Sequence, residues 1–132
     1  MSRARILLAD DHAEFLAVVT GLLEPEFEVV TTANSGRAAL EEAARLAPDA
    51  LILDISMPGM TGIEAARRLH ASGSGSKVIF LTVHDDPDYV RAGLAAGASG
   101  YVIKSRLASD LISALREALA GRPFVSPTIM LE

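Results

Sequence analysis

The chain has 132 residues, half of them hydrophobic and 22% charged, the composition of one folded domain rather than a disordered chain. It has no cysteine, which excludes a disulfide framework and a thiolate metal site, and its formal net charge of −5 speaks against direct binding of nucleic acid, which needs clustered cations. No apolar run reaches the ~20 residues of a membrane span, and the run before Asp10 is too short for a signal peptide, so a cytoplasmic location is expected.

Read for period, the chain alternates short β-rich runs with helical patterns. ARILLAD (4–10) predicts a first strand. Phe15, Leu16, Val18, Val19, Leu22 and Leu23 recur at helical spacing up to Pro25. FEVVTTA (27–33) is a second strand, and Ala38, Leu40, Ala43, Ala44 and Leu46 mark a helix closed by Pro48. ALILD (50–54) is the third strand, 62–71 the third helix and KVIFLT (77–82) the fourth strand. Asp86 and Pro87 open a fourth helix as cap and first-turn proline. GYVIK (100–104) is the fifth strand, and Leu107, Leu111, Leu115, Ala118 and Leu119 mark a last helix ended by Gly121 and Pro123. SGSGSK (72–77) reads as a flexible loop, and no internal repeat is visible.

Five strands alternating with five helices imply a parallel sheet covered by helices on both faces. In such a sheet ligands bind beyond the carboxyl ends of the strands. Those ends carry Asp10 and Asp11 after the first strand, Asp54 after the third, Thr82 on the fourth and Lys104 on the fifth. Two carboxylates ~4–5 Å apart repel by roughly 3–4 kcal/mol at an effective dielectric near 20. Three need cations: Lys104 supplies one, and an all-oxygen set favours Mg²⁺ for the remainder. A carboxylate beside Mg²⁺ and lysine is placed to attack a phosphoryl group and hold it as an acyl phosphate.

The segments ADDH (9–12), LILDISMPGMTG (51–62), IFLT (79–82) and AAGASGYVIKS (95–105) resemble the receiver domain of a bacterial two-component response regulator. DDH, GASGYVIK and GRPFVSP are most similar to the NarL/FixJ (LuxR-type) subfamily. The resemblance implies a doubly wound, five-stranded (βα)5 fold of the flavodoxin-like, CheY-like kind. It places a receiver over 1–121 and the start of a linker or C-terminal tail over 122–132. It makes Asp54 the phosphoacceptor, catalysing only its own phosphotransfer and dephosphorylation, with Asp11 a direct Mg²⁺ ligand and Asp10 a ligand through water. The backbone carbonyl of Ser56 completes the set. Thr82 would hydrogen-bond the phosphoryl group, Lys104 would pair with it, and Tyr101 would turn inward as Thr82 moves. Ser56 and His84 resemble the positions that tune dephosphorylation. Val83 stands where the family usually has a smaller residue, and Ser105 where many receivers have proline. The implied partners are a sensor histidine kinase, a helix-turn-helix effector domain absent from this chain, and a second copy on phosphorylation; Ile112 is a candidate for a partner surface.

Each residue also has a plainer reading. Asp10 and Asp11 would cap the first helix, Lys104 would be a surface lysine, and Tyr101 would be packing. His12 reads as a solvent-facing loop histidine, His70 as surface, and Met57 and Met60 as cover for a core edge. Three rival functions remain. A haloacid-dehalogenase-type phosphatase needs a second carboxylate where Ser56 stands. A nucleotide- or flavin-binding domain needs a glycine-rich loop where ADDHAE stands. A single-domain or degenerate receiver would act as a docking module.

Overall fold

The computed structural model describes residues 3–127. Strands and helices alternate as β1 (Arg5–Ala9), α1 (Ala13–Leu23), β2 (Glu28–Ala33), α2 (Gly36–Leu46), β3 (Ala50–Leu53) and α3 (Gly62–Ala71). They continue as β4 (Lys77–Thr82), α4 (Pro87–Ala95), β5 (Gly100–Ile103), a 3-10 turn (Lys104–Arg106), α5 (Leu107–Leu119) and β6 (Phe124–Val125). Helix starts follow local chemistry. Ser35 and Thr61 accept hydrogen bonds from Ala38 and Glu64 and so cap α2 and α3. Asp86 accepts from Asp88 and caps α4 ahead of Pro87.

The strands form one parallel sheet in the order β2-β1-β3-β4-β5-β6. Alternate residues of each central strand face opposite layers, which explains why these strands are apolar throughout. Leu7, Leu51, Leu53 and Phe80 pack with Ala39, Ala65, Leu69 and Val90 of α2, α3 and α4. Ile6, Leu8, Ile52, Ile79 and Leu81 pack with Val19 and Leu23 of α1 and with Leu111 and Leu115 of α5. Burying one such side chain contributes roughly 1.5–3 kcal/mol. Met57 and Met60 pack at the edge of the first layer, and His70 is exposed. Ile112 packs against the second layer and is half-buried.

The doubly wound sheet follows the expected order and gains a sixth strand. Phe124 and Val125 pair with Gly100 and Tyr101 inside the segment read as linker or tail, while 128–132 lie outside the described residues. A two-residue strand is too short to show a period, which is why it escapes sequence reading. Its hold comes from side chains. The Ser126 hydroxyl donates to Asp110 Oδ2 at 2.9 Å and accepts from the Ile103 amide at 3.2 Å. Arg106 Nε and the Ser109 hydroxyl also donate to the Asp110 carboxylate, at 2.7 and 3.0 Å. Burial pushes the Asp110 carboxyl up, but these donors outweigh it and hold it below its ordinary value.

Candidate functional site

In this strand order the chain winds outward in both directions from β1 and β3, so the crevice beyond their carboxyl ends is the switch point. Asp10 follows β1 and Asp54 follows β3. Their backbone amides extend the ladder, donating to Ala33 and Ala9 at 3.0 Å each, which fixes both carboxylates at the rim. Both residues are about 95% buried, at 3% and 5% exposure. Charges that deep are expensive unless paired.

Lys104 is the partner. Its Nζ donates to Asp10 Oδ2 at 2.8 Å and to Asp54 Oδ2 at 3.2 Å. Burial pushes the Asp10 carboxyl up, but the Lys104 ammonium and the His12 amide and ring hold it below its usual value. Burial likewise lowers the Lys104 ammonium, and its two carboxylates reverse this and raise it. Asp54 Oδ1 is buried and accepts no hydrogen bond from any described residue. One oxygen of the most central carboxylate therefore retains its full acceptor capacity beside an acidic pair.

The turn after β3 is shaped by two glycines for different reasons. Gly59 has φ +77°, in the left-handed region. Gly62 has an ordinary φ, and a Cβ there would sit 2.0 Å from the Asp54 carbonyl oxygen. Gly62 lets α3 close on Asp54 itself.

Thr82 ends β4 fully buried, its hydroxyl oxygen accepting from the His84 amide at 3.3 Å. The Tyr101 ring is also fully buried, 5.9 Å from the Phe80 ring, and its hydroxyl donates to the His84 carbonyl at 2.7 Å. Burial, then the Asp54 charge, push the phenol well above its ordinary value and keep that donor protonated. The His84 ring lies 2.6 Å from the Ser56 hydroxyl and stacks on Tyr89 at 4.3 Å. Val83 is 66% exposed at the rim.

The plainer reading of the acidic pair fails. Neither aspartate caps α1: its N-cap residue is His12, which offers no side-chain cap, and Asp10 instead accepts from the His12 amide at 2.9 Å. His12 is the exposed loop histidine expected, and its Nδ1 also lies 3.0 Å from a carboxylate oxygen of both Asp10 and Asp11. Among the described residues, Asp10, Asp11 and His12 form the group of acidic and imidazole ligand atoms within 4.8 Å of one another. Sequence reading also missed Phe15, whose ring lies 4.3 Å from Lys104 Nζ. Its place on the first turn of α1, just behind Asp11, was the available signal.

A doubly wound sheet whose strand ends gather an acidic pair, a third carboxylate, a threonine and a lysine is the layout of a receiver module. Residues 6–116 match the family model described as response regulator receiver domain, and the chain belongs to that family. The match sets aside the phosphatase and nucleotide-binding readings. The chain is 38% identical over 130 residues to the transcriptional regulatory protein DegU of Brevibacillus brevis, covering 97% of this chain and 55% of that protein. It is 35% identical over 127 residues to the response regulator GacA of Pseudomonas viridiflava, covering 95% and 59%. Among solved structures it is similar to a LuxR-family two-component response regulator from an Aurantimonas species, with TM-score 0.92, 35% identity and coverage of 97% and 93%. It is also similar to the isolated REC domain of RcsB from Salmonella enterica serovar Typhimurium in the presence of the phosphomimetic BeF3-, with TM-score 0.91, 27% identity and coverage of 99% and 100%. The chain spans just over half the length of these curated relatives.

Proposed function

We propose that this receiver accepts a phosphoryl group on Asp54 from a sensor histidine kinase, in a Mg²⁺-dependent reaction, and thereby controls a transcriptional output domain. The observation that carries the proposal is Lys104 held between Asp10 and Asp54 while Asp54 Oδ1 has no donor among the described residues. An Asp54 oxygen attacks phosphorus. The bond from phosphorus to the donor breaks, and its electron pair leaves on the donor, a kinase imidazole or the carboxylate of a small acyl phosphate. The attacking form is the carboxylate, so the step itself releases no proton. Lys104 transfers one hydrogen bond from Asp54 Oδ2 to a phosphoryl oxygen, and the Thr82 hydroxyl turns to donate to another.

Asp10, Asp11, Asp54 and the Ser56 carbonyl are an all-oxygen set that suits Mg²⁺; Asp11 would hold it directly and Asp10 through water. When bound, Mg²⁺ would supply neutralisation of the charge shared between the carboxylates and the phosphoryl oxygens. The His12 nitrogen is the poorer ligand for so hard an ion, so His12 would leave the pair rather than join the set. Membership of the NarL/FixJ (LuxR-type) subfamily, a helix-turn-helix effector domain, dimerisation on phosphorylation and a cytoplasmic location belong to the same reading. It is supported by relatives named as transcriptional regulators and by a relative solved as RcsB dimers bound to DNA. No helix among the described residues is long and apolar enough to cross a membrane.

Incubation with acetyl phosphate and Mg²⁺, followed by intact mass, tests the proposal. One phosphoryl adduct on the wild type and none on Asp54→Asn is the expected result. Equal labelling of both proteins would move the acceptor elsewhere.

A further inference from the structure

We propose that Phe15 is a positioning residue for Lys104, its ring face holding the ammonium turned onto Asp10 and Asp54. An ammonium has three donors. Two are spent on Asp10 Oδ2 and Asp54 Oδ2, and Nζ lies 4.3 Å from the centroid of the Phe15 ring. The negative face of an aromatic ring attracts a cation at that distance, more strongly where water is scarce. Water is scarce here, because the Lys104 side chain is only 16% exposed.

The lysine needs such a hold. It lies just past the end of β5, in the 3-10 turn Lys104–Arg106, and reaches the carboxylates on a flexible four-carbon stem. Two carboxylates define an axis about which the ammonium can still swing out of the crevice. Phe15 is anchored to prevent this. It shares a face of α1 with Val19 and Leu23 at successive intervals of four residues, and both are buried against the sheet. Packing alone does not call for an aromatic residue at this half-buried position, since leucine would fill the space with modest loss. A π face is what leucine lacks.

The consequence for chemistry rests on the phosphoacceptor reading above. When a phosphoryl group arrives on Asp54, Lys104 exchanges a carboxylate oxygen for a phosphoryl oxygen, and Phe15 keeps the ammonium in the crevice during that exchange.

The test replaces Phe15 by 4-fluoro-, 3,5-difluoro- and 3,4,5-trifluorophenylalanine, which keep the ring's shape and progressively drain its negative face. The first readout needs no phosphorylation: solvent exchange of the Lys104 ammonium protons, followed by proton–nitrogen NMR with Lys104→Arg as the assignment control. Exchange should quicken stepwise, by about threefold or more across the series. The acetyl phosphate labelling rate should fall in the same order, while the Mg²⁺ titration is unchanged. Phe15→Leu, checked for an intact melting transition, should resemble the trifluoro protein, and Phe15→Trp should restore the wild-type behaviour. Flat exchange across the fluorine series, or a Lys104 ammonium too rapidly exchanging to observe in the wild type, overturns the proposal. Stepwise exchange with no labelling of any variant upholds the Phe15 contact and refutes the phosphoacceptor reading alone.

Discussion

Tyr101 ties β5 to the loop after β4: its hydroxyl donates to the His84 carbonyl at 2.7 Å while its ring is wholly buried. Thr82 is tied to the same loop through the His84 amide. One histidine backbone therefore joins Thr82, proposed to hydrogen-bond the phosphoryl group, to the aromatic residue, and the same histidine's ring stacks on Tyr89 of α4. Tyr101→Phe removes only the hydroxyl and should cost about 1 kcal/mol of stability. Amide exchange should rise across 83–90 and little elsewhere. Unaltered exchange there would show that the bond does not restrain the loop.

After phosphorylation, the wild type should show altered amide exchange across 86–119, the face of α4, β5 and α5. Thr82→Ala, whose side chain cannot reach the phosphoryl group, should show a weaker response with labelling retained. A full response in Thr82→Ala would remove Thr82 as the coupling residue.

On the proposed reading His12 would compete with a cation for the acidic pair, because its Nδ1 lies 3.0 Å from a carboxylate oxygen of each. His12→Ala should therefore bind Mg²⁺ as tightly as the wild type or up to about threefold more tightly, the worth of one modest hydrogen bond. Asp11→Asn should weaken binding more than Asp10→Asn. A marked loss of Mg²⁺ affinity in His12→Ala would make the imidazole a ligand instead of a competitor.

Much of the site was legible because strand ends can be read from period and turn signals. Asp10, Asp54, Thr82 and Lys104 each close an apolar run, and a parallel sheet brings such positions to one rim. The contacts that organise them were not legible. Tyr101 is held by a backbone carbonyl, which every residue possesses, so nothing in the sequence marks His84 as its partner. Gly62 announces a special backbone angle, whereas its actual role is close approach to Asp54. Phe15 fits a core pattern and a cation contact equally well until Lys104 is placed in space. Ser126 looked like part of a linker because its partners are Asp110, sixteen residues away, and the Ile103 amide.

The Ser126 hydroxyl is the fastener of β6. Ser126→Ala leaves the buried Ile103 amide without its acceptor and should cost about 1–3 kcal/mol. Amide exchange should rise at Val125, Ser126 and Ile103. Wild-type stability in this variant would mean that β6 docks through its backbone alone.

Asp10 and Asp110 both titrate below the ordinary aspartate value of 3.8 in the folded protein. Their stabilisation is therefore fully present above the unfolded-state value and is lost as pH falls through the lower folded values. Lys104, raised in the fold, contributes below its unfolded value of 10.5 and loses that contribution as pH rises through the folded one. Urea melts between pH 6 and pH 2.5 should show stability falling below about pH 4, more gently in Asp110→Asn. An equally steep acid limb in that variant would exclude Asp110 as a source.

The central claim is that Asp54 carries the phosphoryl group. Borohydride reduces an aspartyl phosphate to homoserine, so treating the acetyl phosphate-labelled protein and sequencing its peptides by tandem mass spectrometry identifies the acceptor directly. Homoserine at position 54, dependent on Mg²⁺ and lost in Lys104→Ala, is the predicted result. Homoserine at position 10 or 11, or none despite labelling, would contradict the account.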